Sequence, residues 1–431
     1  MDNTHLLILA LLLGSMATTV PVFIALFFTG LAGLTFLVGI DPKIAIEILY
    51  RSMDKFALIV VLFFVLCGNI MTTGSIVQKL IKTADVLVGF LPGGLAMAGI
   101  LACGFFGAIS GSTVATVVAI GGFMIPALID HGYDEEFSVG VMTTAPILGV
   151  IIPPSIAMIL YAMITTDSLE ALFLTGFIPG FLIMVLMSLY AWYFCRKKGM
   201  ERRPRPKLSE AIAVLRESIW ALLLPVIIFG GIYSGVFTAN EAAIVACMYA
   251  FVVELCIHRD MKLFDIKKVI VSSAITSASL LIIVAGASVF GEYLTFEQIP
   301  EQIASAVVSN FSSPWSFLLV VNVLLLFVGM FMDIISATII LTPIFLPLLA
   351  QFDIDTLHFG LIMTLNLGIG YCTPPLGVSL FISGAVANRS MLFVARSVLP
   401  FLLIQIAILL LLTFWPDPVL LLPRLFYGYG G

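Results

Sequence analysis

Between Leu169 and Cys195 the chain reads LEALFLTGFIPGFLIMVLMSLYAWYFC, 27 residues with a single charge at Glu170. A helix crosses the roughly 30 Å hydrocarbon core of a bilayer with about 20 apolar residues, so this run is long enough to span it. Comparable runs recur at 5–20, 22–40, 56–74, 218–236, 240–257, 269–290 and 392–415. Backbone polar groups in lipid must be satisfied internally, which leaves helices or a closed barrel. Strand-type alternation is absent, so the spans are helices. The 431 residues are 61% hydrophobic and 10% charged, with mean hydropathy +1.18. Soluble domains carry about a quarter charged residues. The expected class is an all-α polytopic membrane protein.

Composition also excludes function classes. The net charge of −5 is spread thinly, with no basic patch of the kind that binds nucleic acid. Six cysteines, at 67, 103, 195, 247, 256 and 372, lie scattered without a CxxC and read as inert thiols. Four histidines (5, 131, 258 and 358) sit near span ends and form no HExxH. No GxxxxGK[ST] phosphate loop occurs, and the serines of GAISGST have no histidine near them in sequence. The chain is expected to be neither an enzyme nor an ATP-driven motor. The N-terminal apolar run lacks a basic leader and reads as the first span.

Basic residues mark the cytoplasmic side of a membrane. RKKGMERRPRPK (196–207), HRDMKLFDIKK (258–268) and NRSMLFVAR (388–396) fall on one side by span count, while 291–314 has no lysine or arginine and falls on the other. The basic segment 41–55, a connection between spans, dissents from this count.

Four segments do not parse as simple spans. Residues 95–129 and 314–350 are apolar at both ends and small or polar in the middle, at GAISGST and GMFMDIISAT. Arms of about 14 residues at about 1.5 Å each reach about 20 Å, short of the core. Each is expected to be a re-entrant hairpin with its tip at mid-membrane. Segments 137–166 and 357–386 are interrupted by adjacent prolines in GVIIPPS (149–155) and GYCTPPL (370–376). Proline removes an N–H and pushes the preceding residue out of helical geometry, so both are broken helices. The amphipathic stretches 75–91 and 295–311 suit helices lying along the interface.

These features repeat. At a fixed offset of 221, residues 111–155 agree with 332–376 at eight positions, including Asp134/Asp355, Gly149/Gly370, Pro153/Pro374 and Pro154/Pro375. Each copy holds spans, an interfacial helix, a hairpin, a broken helix and a closing span (169–195 or 392–415). The first repeat is 1–207, ending in the cytoplasmic linker 196–207, and the second is 208–431. By the charge count one begins outside and the other inside, so their topologies are inverted. Inverted repeats with paired broken helices are a secondary-transporter architecture, and the breaks point to the binding site.

At such a break, carbonyls lose their helical partners and half-helix ends expose partial charge. Carbonyls of GVIIPP with hydroxyls of SGST make an oxygen cage for a hard cation. GYCTPP with GMFMDIISAT makes a second, to which Thr373 adds a hydroxyl and Asp333 a charge. Two sodium sites are expected. Asp333 is an intramembrane acid and functional by default; sodium binding, proton transfer and substrate orientation are its three open roles. Glu241 and Glu254, close to span ends, read as solvated carboxylates.

The run GAISGSTVATVVAIGGFMIPALIDHGYDEEFSVGVMTTAPILGVIIPPS, with the later PLGVSLFISGAVA, resembles the large membrane subunit of TRAP (tripartite ATP-independent periplasmic) transporters, over nearly the whole chain. The resemblance implies sodium-coupled, elevator-type uptake of an organic acid, of the C4-dicarboxylate or sialic-acid class, across a bacterial inner membrane. It implies a small four-helix membrane subunit on a separate chain and a periplasmic substrate-binding protein as partners. Both termini would be periplasmic. Carried over by residue, Ser110 or Ser112 with the carbonyls of Gly149, Ile152 and Pro154 would hold one sodium ion. Gly329 with Gly370, Thr373 and Leu376 would hold the other, and Ser110, Ser155 and Asp333 would face the substrate. Ser110 therefore has two open roles. The alternative readings are an ion-coupled anion transporter that needs no binding protein, and a channel or membrane scaffold.

Overall fold

The computed structural model describes residues 7–8, 10–12, 14–15, 20–55, 58–200, 204–308 and 313–429. Among them there is no strand, and nine helices are long and apolar enough to cross a membrane. Of the expected span 5–20, residues 7–8, 10–12 and 14–15 are helical, while 5–6, 9, 13 and 16–19 fall outside the described residues.

The first half opens with α1 (Val22–Ala32), which runs on into a π-helical turn, Gly33–Val38. Next comes α2 (Pro42–Met53), where 41–55 reads in sequence as a connection. Asp41 accepts the Lys43 N–H at 2.8 Å and Pro42 takes the first helical position, two start signals that favour a helix. Then follow α3 (Leu58–Thr73) and the amphipathic α4 (Ile76–Val88). Helices α5 (Gly94–Ser110) and α6 (Thr113–Asp130) form a hairpin whose ends meet: the Leu95 N–H donates to the Tyr133 hydroxyl at 3.3 Å. Asp134 caps α7 (Glu135–Thr144) by accepting the Phe137 N–H at 3.2 Å. Burial pushes the Asp134 carboxyl up, but hydrogen bonds from Lys198 and the Phe137 N–H outweigh it and hold it below its ordinary value. After α7 the chain tightens into a last turn, Leu148–Ile151, and breaks. It resumes as α8 (Ile156–Thr165), α9 (Leu169–Thr175) and α10 (Phe177–Lys197).

The second half holds α11 (Leu208–Tyr233), α12 (Ala239–Val252, prolonged by the π turn Val253–His258), α13 (Leu263–Phe296) and α14 (Ile299–Val308). A second hairpin joins α15 (Pro314–Phe331) to α16 (Ile334–Gln351), and its ends meet where Phe317 and Phe352 stack at 4.7 Å. Asp355 caps α17 (Thr356–Gly370), accepting the His358 N–H at 3.0 Å. Beyond the second break come α18 (Val378–Ala387), α19 (Met391–Phe414) and α20 (Asp417–Tyr427).

Three expectations change. Helix α13 is 34 residues long, so the amphipathic helix starts at Ile299 and not at 295. The chain turns at Gln298, whose φ of 50° is left-handed and ends the span. The expected end of that amphipathic helix at 311 falls outside the described residues. The hairpin arms have 17 or 18 residues, reaching about 26 Å at about 1.5 Å per residue, so they are longer than sequence suggested. Finally, Glu254 is fully buried and not solvated. Its Oε1 accepts the N–H groups of Ser75 and Ile76 at 2.9 and 2.8 Å. This carboxylate, from the end of α12, satisfies two orphan donors at the start of α4 and meets the favourable end of its dipole. Glu241 is exposed and closes a capping box with Thr238.

Packing gives two groups of helices, joined by α4 on α5 and by α13 and α14 on α16. Helix α13 lies along α1 and α3, α12 packs on α3, and α11 packs on α4. In the other group the breaks interlock. The last turn before the first break rests on α5, and α17 rests on α15; α8 then crosses to α16, and α18 to α6. Each broken helix thus touches its own hairpin with one half and the other hairpin with the next.

Candidate functional site

Between the two hairpin tips and the helices α3 and α13 lies a cavity of about 500 Å³. The first tip lends it Ser110, Ser112 and Thr113, the second tip Asp333 and Ile334, and the second break Tyr371. Asn69 and Thr72 face it from α3, and Thr276 from α13. Asp333 is the one carboxylate among the described lining residues, and no lysine, arginine or histidine is among them.

The first tip turns at Gly111, with φ of 61°. A Cβ there would lie 2.6 Å from the Pro154 carbonyl oxygen, so only glycine lets the tip rest on the break. The Ser112 hydroxyl caps α6, accepting the Ala115 N–H at 3.4 Å. The Thr116 hydroxyl, one turn on, donates to the Ser112 carbonyl at 2.7 Å and lies 3.5 Å from the Ser110 hydroxyl. Gly149 presses against the same oxygens: a Cβ on it would sit 2.7 Å from Thr116 Oγ1 and 2.8 Å from the Ser112 carbonyl. Within a helix the Gly149 and Val150 carbonyls would accept from residues 153 and 154, but both are prolines. Ile152 ends its half-helix with ψ of 123°, which swings its carbonyl out of the helical ladder. Oxygens from tip and break therefore converge without a full set of donors.

The second copy is built differently. Asp333 caps α16, its Oδ2 accepting the Ser336 N–H at 2.8 Å. Gly329 and Gly370 touch backbone to backbone, since a Cβ on Gly370 would lie 2.7 Å from the Gly329 Cα. The Gly370 carbonyl accepts the Thr373 N–H at 3.0 Å, and the Thr373 hydroxyl donates to the Ile369 carbonyl at 2.8 Å. The Tyr371 hydroxyl accepts the Ile334 N–H at 3.0 Å and so joins tip to break.

The structure brings Ser110, Ser112, Gly149 and Pro154 together at the first tip, and Gly329 with Gly370 at the second. Ile152 follows Gly149 in the same break. Ser110 and Asp333 line the cavity. Ser155 is fully buried, caps α8 by accepting the Met158 N–H at 3.4 Å, and is not among the cavity-lining residues. Leu376 is 43% exposed, at the surface end of its break. Sequence reasoning included Thr113 through the hydroxyls of SGST but missed Thr116 and Tyr371, along with Asn69, Thr72 and Thr276. The Thr113 hydroxyl is buried without a hydrogen-bond partner among the described residues, and it lines the cavity. Thr116 was findable as the residue one helical turn after Ser112; Asn69 and Thr276 were findable only as polar residues inside apolar spans.

This helical fold is shared with known membrane transporters. The YdaH transporter of Alcanivorax borkumensis superposes with a TM-score of 0.63 at 15% identity, covering 86% of this chain and 88% of that one. MtrF of Neisseria gonorrhoeae, from a class of antimetabolite efflux pumps, gives 0.57 at 14% identity over 88% of this chain and 85% of that one. At these identities the likeness concerns the fold alone. The sequence itself goes further. The chain belongs to the family described as tripartite ATP-independent periplasmic transporter, DctM component, whose profile matches residues 9–417. A C4-dicarboxylate TRAP transporter large permease, DctM of Pseudomonas aeruginosa, is 42% identical over 376 residues, 87% of this chain and 88% of that one. A sialic acid large permease, SiaM of Vibrio cholerae, is 34% identical over 97% of this chain and 98% of its own length. The isethionate permease DctMQ of Oleidesulfovibrio alaskensis is 37% identical over 95% of this chain, which spans 64% of that longer protein.

Proposed function

We propose that this large permease carries out sodium-coupled uptake of an organic acid across a bacterial inner membrane. The acid is of the C4-dicarboxylate or sialic-acid class, as the names of its relatives suggest. A periplasmic binding protein delivers it, and a small membrane subunit on a separate chain completes the permease. Both termini face the periplasm.

The observation that carries this reading is the cavity wall. Both hairpin tips and the second break open on one space with a single carboxylate and no cationic side chain among the described lining residues. An anion there needs counter-charge, because an uncompensated buried charge is costly. The N-termini of α6 and α16 supply a fraction of it. Two sodium ions at the tips supply the rest. The first is held by the Ser110 or Ser112 hydroxyl with the carbonyls of Gly149, Ile152 and Pro154, joined by the Thr116 hydroxyl. The second is held by Gly329, Gly370, Thr373 and Leu376. Substrate then meets Ser110 and Asp333, with Ser155 one residue behind the wall at Ile156. Ion and substrate favour each other through the tips they share, which is linkage.

The interlocked breaks support an elevator. Because each broken helix grips both hairpins, the four elements move as one body against α1, α3 and α11–α13. Proteoliposomes containing the permease, its small subunit and the cognate binding protein test the reading. Labelled organic acid should accumulate uphill under an inward sodium gradient. Uptake at full rate in sodium-free buffer would sink it, and uptake without the binding protein would favour a self-sufficient transporter.

A further inference from the structure

Tyr371 opens the second break and makes three connections. Its N–H donates to the Leu367 carbonyl at 3.1 Å, completing α17, and its carbonyl accepts the Ser379 N–H at 3.0 Å, starting α18. Its hydroxyl accepts the Ile334 N–H at 3.0 Å. The ring is buried, and it lines the cavity alongside Asp333. The Ile334 N–H is an orphan donor in the first turn of α16, and the cap of that helix is Asp333 itself. One phenol oxygen therefore links the backbone of the break to the helix end that orients the cavity's carboxylate.

The first copy has no such link. At the offset of 221 the counterpart of Tyr371 is Val150, which also lines the cavity but has no hydroxyl, and the counterpart of Ile334 is Thr113. There the tip is held by backbone, with the Ile156 N–H donating to the Gly111 carbonyl at 3.5 Å.

We propose that Tyr371 is the positioning residue through which sodium at the second break sets the geometry of Asp333 in the substrate cavity. The inference rests on the sodium-coupled reading above. An ion drawing on carbonyls around Gly370 fixes the backbone that carries Tyr371. The hydroxyl then holds Ile334, and with it the first turn of α16.

Two substitutions remove the same hydrogen bond from opposite sides. Tyr371→Phe keeps the ring and deletes the acceptor. Ile334→Pro deletes the donor at the first helical position, where proline is tolerated. Asp333, with φ of −68° and ψ of 149°, already has the backbone a residue before proline requires. Ile334→Ala reports loss of the side chain alone. The readouts are thermal melting of the full chain with its membrane subunit in sodium chloride against choline chloride, and sodium activation of uptake. Tyr371→Phe and Ile334→Pro should each raise half-saturating sodium about tenfold, as loss of one buried hydrogen bond allows. The double variant should be no worse than either single one, and Ile334→Ala should leave the sodium response in place. A purely structural Tyr371 would lower melting equally in both salts and leave sodium activation unchanged, which overturns the proposal, as do additive effects in the double variant. If the unsubstituted protein ignores sodium, the sodium-coupled reading falls and takes this inference with it. If it responds and Tyr371→Phe responds identically, only the role of Tyr371 falls.

Discussion

The two breaks share a pattern, G-x-x-x-P-P, and differ in how they are held. Residues 149–155 are buried throughout, whereas Pro375 and Leu376 of the second break are exposed. The first tip leans on its break through glycine backbone; the second hairpin also has a glycine contact, Gly329 on Gly370, and adds a tyrosine hydroxyl. The two breaks lack the same donors and differ in the clamp. A steric clamp tolerates no added atom, while a hydrogen-bonded clamp is adjustable one group at a time.

Matched substitutions at the offset of 221 exploit this contrast. The largest effect is expected at the tips. Gly111→Val combines a left-handed φ with a clash at the Pro154 carbonyl and should cost about 3 kcal/mol, abolishing uptake. Its counterpart Met332 is extended, with φ of −113°, so Met332→Val should change stability by less than about 0.5 kcal/mol in a melting assay. Equal damage at both positions would break the comparison. Next come the caps. Ser112→Ala should cost about 1 kcal/mol of stability. Asp333→Asn keeps an acceptor for the Ser336 N–H, so melting should barely move, while uptake should fall at least about tenfold, a factor worth about 1.4 kcal/mol. A smaller effect is expected at Thr116, whose counterpart is Ala337. Thr116→Val removes a hydroxyl from the first oxygen cluster and should raise half-saturating sodium severalfold, in line with about 1 kcal/mol for one hydrogen bond. Smallest is Leu376→Ala: its side chain is exposed and any ion contact is through its carbonyl, so sodium activation should stay within measurement error of the unsubstituted curve.

Much of this architecture was legible in the sequence for a chemical reason. Proline cannot donate, so GVIIPPS and GYCTPPL announce carbonyls without partners wherever they occur. Small residues at GAISGST announce a tip that must approach backbone closely. The link from Tyr371 to Ile334 was not legible, because 37 residues separate them and only the hairpin brings them together. Arm length misled for the opposite reason: the polar middle of each hairpin looked wide, yet α5 stays helical through Ser110 and α16 begins at Ile334. Glu254 misled as well. Proximity to a span end suggested water, but the turn before α4 was already there, offering two unpaired N–H groups. The family resemblance assigned Ser155 to the substrate; what only the structure shows is that its hydroxyl caps α8.

Glu254 has a consequence for how the protein is made. The ribosome releases the start of α4 long before it adds the residue that caps it, 178 positions later. The first half must therefore wait in the membrane with α4 uncapped, and α6 and α8 wait likewise for α18 and α16. Expressed alone, residues 1–207 should insert and then be degraded. Expressed alongside 208–431 as a separate chain, they should be rescued, because every missing contact is supplied from the other piece.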